Sequence, residues 1–111
     1  MKINLEKLIE ILKQLRAPDG CEWDQKQNHE SLIPYLLEEV YEVIEAIETK
    51  DDELLKEELG DLLLHVIFQA ELASERNKFN IYDSITNIHN KLIKRHPHIF
   101  LDKNDTKWGA G

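Results

Sequence analysis

Two pairs of acidic residues carry the most chemistry in this chain. Glu38-Glu39-Val40-Tyr41-Glu42 and Glu58-Leu59-Gly60-Asp61 each place carboxylates at i and i+3. On a helix such a pair lies about 60° apart, one turn above the other, so Glu39 and Glu42 share one face and Glu58 and Asp61 another. Two antiparallel helices that each present such a pair bring four carboxylates around one point. Hard divalent cations take all-oxygen ligands, and Mg²⁺ completes its shell with water and substrate phosphates. A di-iron bundle needs Glu-x-x-His on two helices, and no His here follows a Glu by three residues. The pattern therefore favours magnesium, with manganese as a substitute. Glu45, Glu48 and Glu53 read as a solvated acidic face. Glu58 and Asp61 do not, because no Lys or Arg occurs between Leu59 and Glu75 to neutralise them.

A basic set closes the inventory. Lys91, Lys94 and Arg95 share an arc of about 100° on one helix face, with His96 and His98 beside them. Cations near a helix C-terminus are favourable in themselves, and Lys with Arg also suits phosphoryl oxygens. Trp23 and Trp108 are candidates for base stacking, each set against a packing role. His65 reads as a satisfied core histidine and Cys21 as structural. No G-x-x-x-x-G-K-[ST] phosphate loop occurs.

The elements that position these residues are helical. Only 4 Gly and 3 Pro interrupt 111 residues, too few for a turn-rich β fold. The spacing predicts a first helix over Leu5–Arg16 with Asn4 as N-cap, then an ordered loop over Ala17–Asn28. A second helix is expected from Ser31 as N-cap to Glu48, with Pro34 in its first turn and Ile33, Leu37, Val40, Ile44 and Ile47 as its buried stripe. Asp51 or Asp52 caps a third, running to about Arg76 and apolar almost all round, so that a second subunit is the easiest cover for it. A fourth opens at Asn80, with Asp83 completing a capping box and Ile81, Ile85, Ile88 and Leu92 facing inward, and stops at Pro97. The short connection between the second and third helices makes them antiparallel neighbours.

Length fits one domain over residues 1–111. With 22 acidic against 14 basic residues the formal charge is −8, which argues against nucleic acid as a partner. A single cysteine excludes an internal disulfide, and no targeting segment or membrane span is evident, so a soluble cytoplasmic protein is expected.

On these residues the chain resembles the MazG family of nucleoside triphosphate pyrophosphohydrolases. The resemblance covers LRAPDGCEWD (15–24), HESLIPYLLEEVYEVIEAI (29–47), EELGDLLLHVIF (57–68) and KLIKRHPHIF (91–100). Glu22 stands where the family usually has proline. The resemblance implies an all-α fold whose helical hairpins dimerise, or pair as a dimer of dimers, into four-helix bundles. It implies Mg²⁺ on Glu39, Glu42, Glu58 and Asp61, and hydrolysis of a nucleoside triphosphate to the monophosphate and pyrophosphate. It places Lys91, Lys94 and Arg95 at the phosphates and Trp108 near the nucleotide. Glu38, adjacent to the ligands, is the spare carboxylate for the general base. Two rivals share parts of the pattern: a non-catalytic helical module that senses nucleotide or metal, and a related all-α hydrolase acting on dUTP or phosphoribosyl-ATP. The G-C-x-W-D loop favours the MazG-type reading over both.

Overall fold

The computed structural model describes residues 2–100, and among them every regular element is helical. Six helices follow in order: α1 (Leu5–Arg16), α2 (Glu22–Gln25), α3 (Ile33–Glu48), α4 (Asp52–Glu75), α5 (Ile81–Arg95) and α6 (Pro97–Phe100). The chain divides into two compact units, the first ending at Lys78 and the second beginning at Phe79.

In the first unit α3 and α4 form an antiparallel hairpin, α1 packs on α4, and α2 packs on α1. The helix ends follow local chemistry. Asn4 caps α1 by accepting from the Lys7 amide, and Asp51 caps α4 by accepting from the Leu54 amide. The reversal between α3 and α4 is a left-handed stop at Lys50 (φ 55°), with the amides of Lys50 and Asp51 donating to the carbonyls of Ile47 and Ala46. Asn77 (φ 59°) ends α4 in the same way, its amide and that of Lys78 donating to Ser74 and Ala73. This pairing satisfies carbonyls that a helix end otherwise leaves bare.

Ser31 differs from expectation. The residue at the cap position is Leu32, which makes no side-chain cap bond. The Ser31 hydroxyl instead accepts from the Asn28 amide and donates to Gln27 Oε1, so it stabilises the preceding turn. Pro34 falls in the first turn of α3 as expected.

The core of this unit is Leu12, Leu32, Ile67, Phe68 and Leu72, with Leu5, Leu8 and Ile9 packed against it. Charged contacts tie α1 to the end of α4. Lys13 pairs with Glu71 at 2.7 Å, and Arg16 grips Glu75 through Nε (2.6 Å) and Nη2 (2.7 Å). The Arg16 guanidinium also lies 5.6 Å from the Phe68 ring centroid and donates to the carbonyls of Asp24 and Gln27. This bidentate pair raises the Arg16 pKa and lowers that of Glu75. The loop between α1 and α3 is thereby pinned. Its turn needs Gly20, since a Cβ there would run into the backbone carbonyl oxygens of Gln14 and Leu15.

The expected burial of α3 is reversed. Ile33, Leu37, Val40, Ile44 and Ile47 are exposed, and the face turned to α4 carries half-buried Leu36, Glu39, Glu42 and Val43 with buried Ala46. On α4 only part of the circumference is covered: Leu59, Leu63, Leu64 and Val66 are exposed while His65, Ile67, Phe68 and Leu72 are buried. A chain of this size has too few helices to cover both faces of the hairpin.

In the second unit α5 begins with the expected capping box between Asn80 and Asp83. Ile81 and Ile93 are buried, whereas Ile85, Ile88 and Leu92 are exposed, against the expectation that they face inward. The helix stops at Arg95, and Pro97 opens the single turn of α6 instead of merely ending a helix.

Candidate metal centre

The α3–α4 hairpin brings the two acid pairs together. One carboxylate oxygen from each of Glu39, Glu42, Glu58 and Asp61 lies within 4.8 Å of the others. The i, i+3 spacing puts each pair on one helix face, and the tight reversal at Lys50 turns those faces toward each other. Glu58 is buried, Glu39 and Glu42 are half-buried, and Asp61 is exposed, so the cluster opens to solvent on the Asp61 side. Among the described residues no ion pair includes any of the four.

The electrostatics of the cluster are unfavourable without a cation. The Glu58 pKa is pushed up to about 7, first by the hydrogen bond it shares with Glu42, then by burial and by the charges of Glu42, Asp61 and Glu39. Burial, with the charges of Asp61 and Glu42, raises that of Glu39. Glu39 Oε2 and Glu58 Oε2 are both buried without a hydrogen-bond partner. Two bare oxygens, an all-carboxylate donor set and no lysine or arginine partner fit a hard divalent cation.

Beyond the acids, a polar thread continues along α4. Gln69 donates through Nε2 to the His29 carbonyl (3.3 Å) and contacts His65 Nε2 at 3.2 Å, while its Oε1 lies 2.5 Å from His29 Nδ1. The carbonyl can only accept, which fixes the amide orientation and makes His65 Nε2 an acceptor. Burial lowers the His65 pKa, so the ring is neutral with its proton on Nδ1. His65 is thus a hydrogen-bonded, buried histidine, as its place on the helix suggested. Trp23 of α2 meets Tyr35 of α3 edge-on, with ring centroids 5.5 Å apart and planes at 85°.

The remaining candidates are not among the four converging carboxylates. Glu38 is exposed on α3, about 100° round the helix from Glu39. Lys91, Lys94 and Arg95 are exposed on α5 in the second unit, where they share one face. Trp108 lies outside the described residues. Tyr35 and Gln69 had no signal of their own in the sequence. Tyr35 falls four residues before Glu39, and that spacing could have placed it on the acid face.

The model of the MazG nucleotide pyrophosphohydrolase domain matches residues 27–100, which hold both helices of the hairpin and the whole acid quartet. The chain belongs to the MazG family. Among its MazG relatives, the nucleoside triphosphate pyrophosphohydrolase/pyrophosphatase MazG of Thermotoga maritima is 58% identical over 100 residues, 90% of this chain and 39% of that protein. The nucleoside triphosphate pyrophosphohydrolase of Escherichia coli K12 is 44% identical over 99 residues, 88% of this chain and 38% of that protein. A Bacillus subtilis protein, YabN, is 47% identical over 92 residues, 83% of this chain and 19% of that protein. The MazG domain here thus spans about two fifths, or less, of the length of these relatives. No helix of the described residues is long and apolar enough to cross a membrane.

Proposed function

We propose that this chain hydrolyses nucleoside triphosphates to the monophosphate and pyrophosphate with the help of Mg²⁺, for which Mn²⁺ can substitute. The observation that carries this reading is the quartet Glu39, Glu42, Glu58 and Asp61, converging within 4.8 Å with two buried oxygens unpartnered. The two relatives named as pyrophosphohydrolases support the choice of reaction.

When bound, the cation neutralises triphosphate oxygens and polarises the phosphorus under attack. The quartet would hold that cation at the solvent-open side of the hairpin. Glu38 is the carboxylate we assign as general base, accepting the proton of the attacking water, since it is not one of the four ligands. Lys91, Lys94 and Arg95 are assigned to phosphate oxygens, where they stabilise the departing pyrophosphate. Trp108 keeps its assignment to the nucleotide.

We further propose that residues 1–111 act as a single catalytic domain and that the active form is a homodimer or dimer of dimers. A second copy of this chain covers the exposed stripe of Ile33, Leu37, Val40, Ile44 and Ile47. With Leu59, Leu63 and Val66 on α4, they make eight large apolar side chains left exposed on the hairpin, the kind of surface that marks an interaction site. The single cysteine, Cys21, is a free thiol, which suits the reducing cytoplasm in which we place nucleotide-pool housecleaning.

A pyrophosphate-release screen over canonical and modified nucleotides, run in Mg²⁺, Mn²⁺ or EDTA, tests the reading. Release with either metal and none in EDTA is expected. Absence of release from every nucleotide overturns it in favour of a nucleotide- or metal-sensing module.

A further inference from the structure

Gly60 stands inside α4, between Glu58 and Asp61, where the chain's own packing does not call for a glycine. The residue is exposed, and a Cβ built on it meets no atom within 4 Å. A glycine inside a helix weakens folding roughly two- to fivefold relative to alanine. Open space over a helical glycine suits one purpose: another backbone can come closer there than any side chain would permit.

The residues one turn away define what kind of backbone fits. Leu63 and Leu64 follow Gly60 at i+3 and i+4, Leu59 precedes it, and all three are exposed. Glu57 lies at i−3 and joins no ion pair among the described residues, whereas Lys56 is already held by Glu53 at 2.8 Å. The notch at Gly60 therefore suits an apolar helix with a positive edge.

Helix α5 has that composition. Ile85, Ile88 and Leu92 form an exposed stripe at i, i+3 and i+7. Lys91 follows Ile88 by three residues and Arg95 follows Leu92 by three, so positive charge borders the stripe. Neither cation is in an ion pair among the described residues. The wider charge distribution agrees. The first unit holds 19 acidic and 9 basic residues, while residues 79–100 hold Asp83 alone against Lys91, Lys94 and Arg95.

We propose that α5 of a second copy crosses α4 at Gly60, laying its Ile85, Ile88 and Leu92 on Leu59, Leu63 and Leu64 and its Arg95 against Glu57. This inference rests on the second-copy reading above and adds which helix arrives and where it crosses. Burial of the two apolar stripes drives the contact, and the charged edge selects α5. Packed helix axes lie about 8–10 Å apart, and a bare Cα at the crossing permits the lower end of that range. In a symmetric pair the contact forms twice.

The test follows mass against concentration by analytical ultracentrifugation at low ionic strength, with helical content checked by circular dichroism. Gly60→Ala is expected to weaken association about tenfold and Gly60→Leu more than a hundredfold. Both should keep wild-type helicity, because the added atoms point into open space within the chain. Gly60→Ala carries the comparison should Gly60→Leu lose its fold. Glu57→Arg and Arg95→Glu each set like charges together at both contacts and should weaken association about tenfold. An equal mixture of those two variants restores opposite charges at both contacts, so mixed dimers should form within about threefold of wild-type strength. Unchanged association in the two Gly60 variants overturns the crossing point. A mixture no stronger than its components overturns α5 of a second copy as the occupant. Wild-type protein that stays monomeric at every concentration overturns the second-copy reading, and the crossing with it.

Discussion

Near neutral pH the Glu58 carboxyl keeps its proton in part of the molecules, and a divalent cation held by all four carboxylates must expel it there. With its pKa pushed up to about 7, the carboxyl is ionised in roughly one molecule in ten at pH 6 and nine in ten at pH 8. Affinity for Mn²⁺ should therefore be roughly tenfold weaker at pH 6 than at pH 8, with nearly one proton released per ion at the lower pH. An ordinary glutamate, ionised at both values, would leave the two affinities within about 5%. Isothermal titration calorimetry with Mn²⁺ in two buffers of different ionisation enthalpy reads both affinity and proton release. Glu58→Gln should bind more weakly and lose most of the pH dependence. Equal affinity at the two pH values, with no proton released by wild type, would refute the account of a carboxylate cluster that holds a proton until metal arrives.

The same group sets the pH dependence of the metal-free fold. A carboxyl whose pKa rises on folding favours the native state below about 4.5 and loses that contribution as pH rises through about 7; the melting temperature in EDTA should fall over this window, the fall vanishing in saturating Mg²⁺ or in Glu58→Gln. Leu12 is fully buried, and Leu12→Ala should cost about 3 kcal/mol, read as a lower urea midpoint with little change in slope. In Gly20→Ala the new methyl must displace backbone at Gln14 and Leu15. We expect a loss of about 1–3 kcal/mol with a shift in Trp23 fluorescence; an unchanged melt and spectrum would mean that the loop is not pinned as described. Ile44→Glu places a charge in the exposed α3 stripe and should turn a dimer into monomers by light scattering, whereas an unaltered mass would show that the stripe is not the contact.

Much of this molecule was legible before any coordinates. The helix starts at Asn4, Asp51 and Asn80 follow from side chains that bond the amide three residues on, and such local chemistry does not wait for tertiary contacts. The acid quartet was legible for a related reason: i, i+3 spacing fixes a common helix face, and a three-residue connection fixes antiparallel pairing. Ser31 shows where local reading stops. Its hydroxyl had two competing sets of partners, and the turn before the helix won over the cap.

The residue pattern by itself determined which side chains need a cover and which carboxylates share a turn. It did not determine which partner covers them. The continuous apolar stripe of α3 looked like the inward face, yet the hairpin turns Leu36, Glu39, Glu42, Val43 and Ala46 toward α4 and leaves the stripe outside. Hydrophobic periodicity reports a need for burial, and only three-dimensional packing says what meets it. The pairing of Trp23 with Tyr35, and of His65 and His29 through Gln69, likewise joins groups 12 to 40 residues apart along the chain. No local propensity encodes such contacts, because they exist only once the pinned loop and the antiparallel register have brought distant segments to the same place.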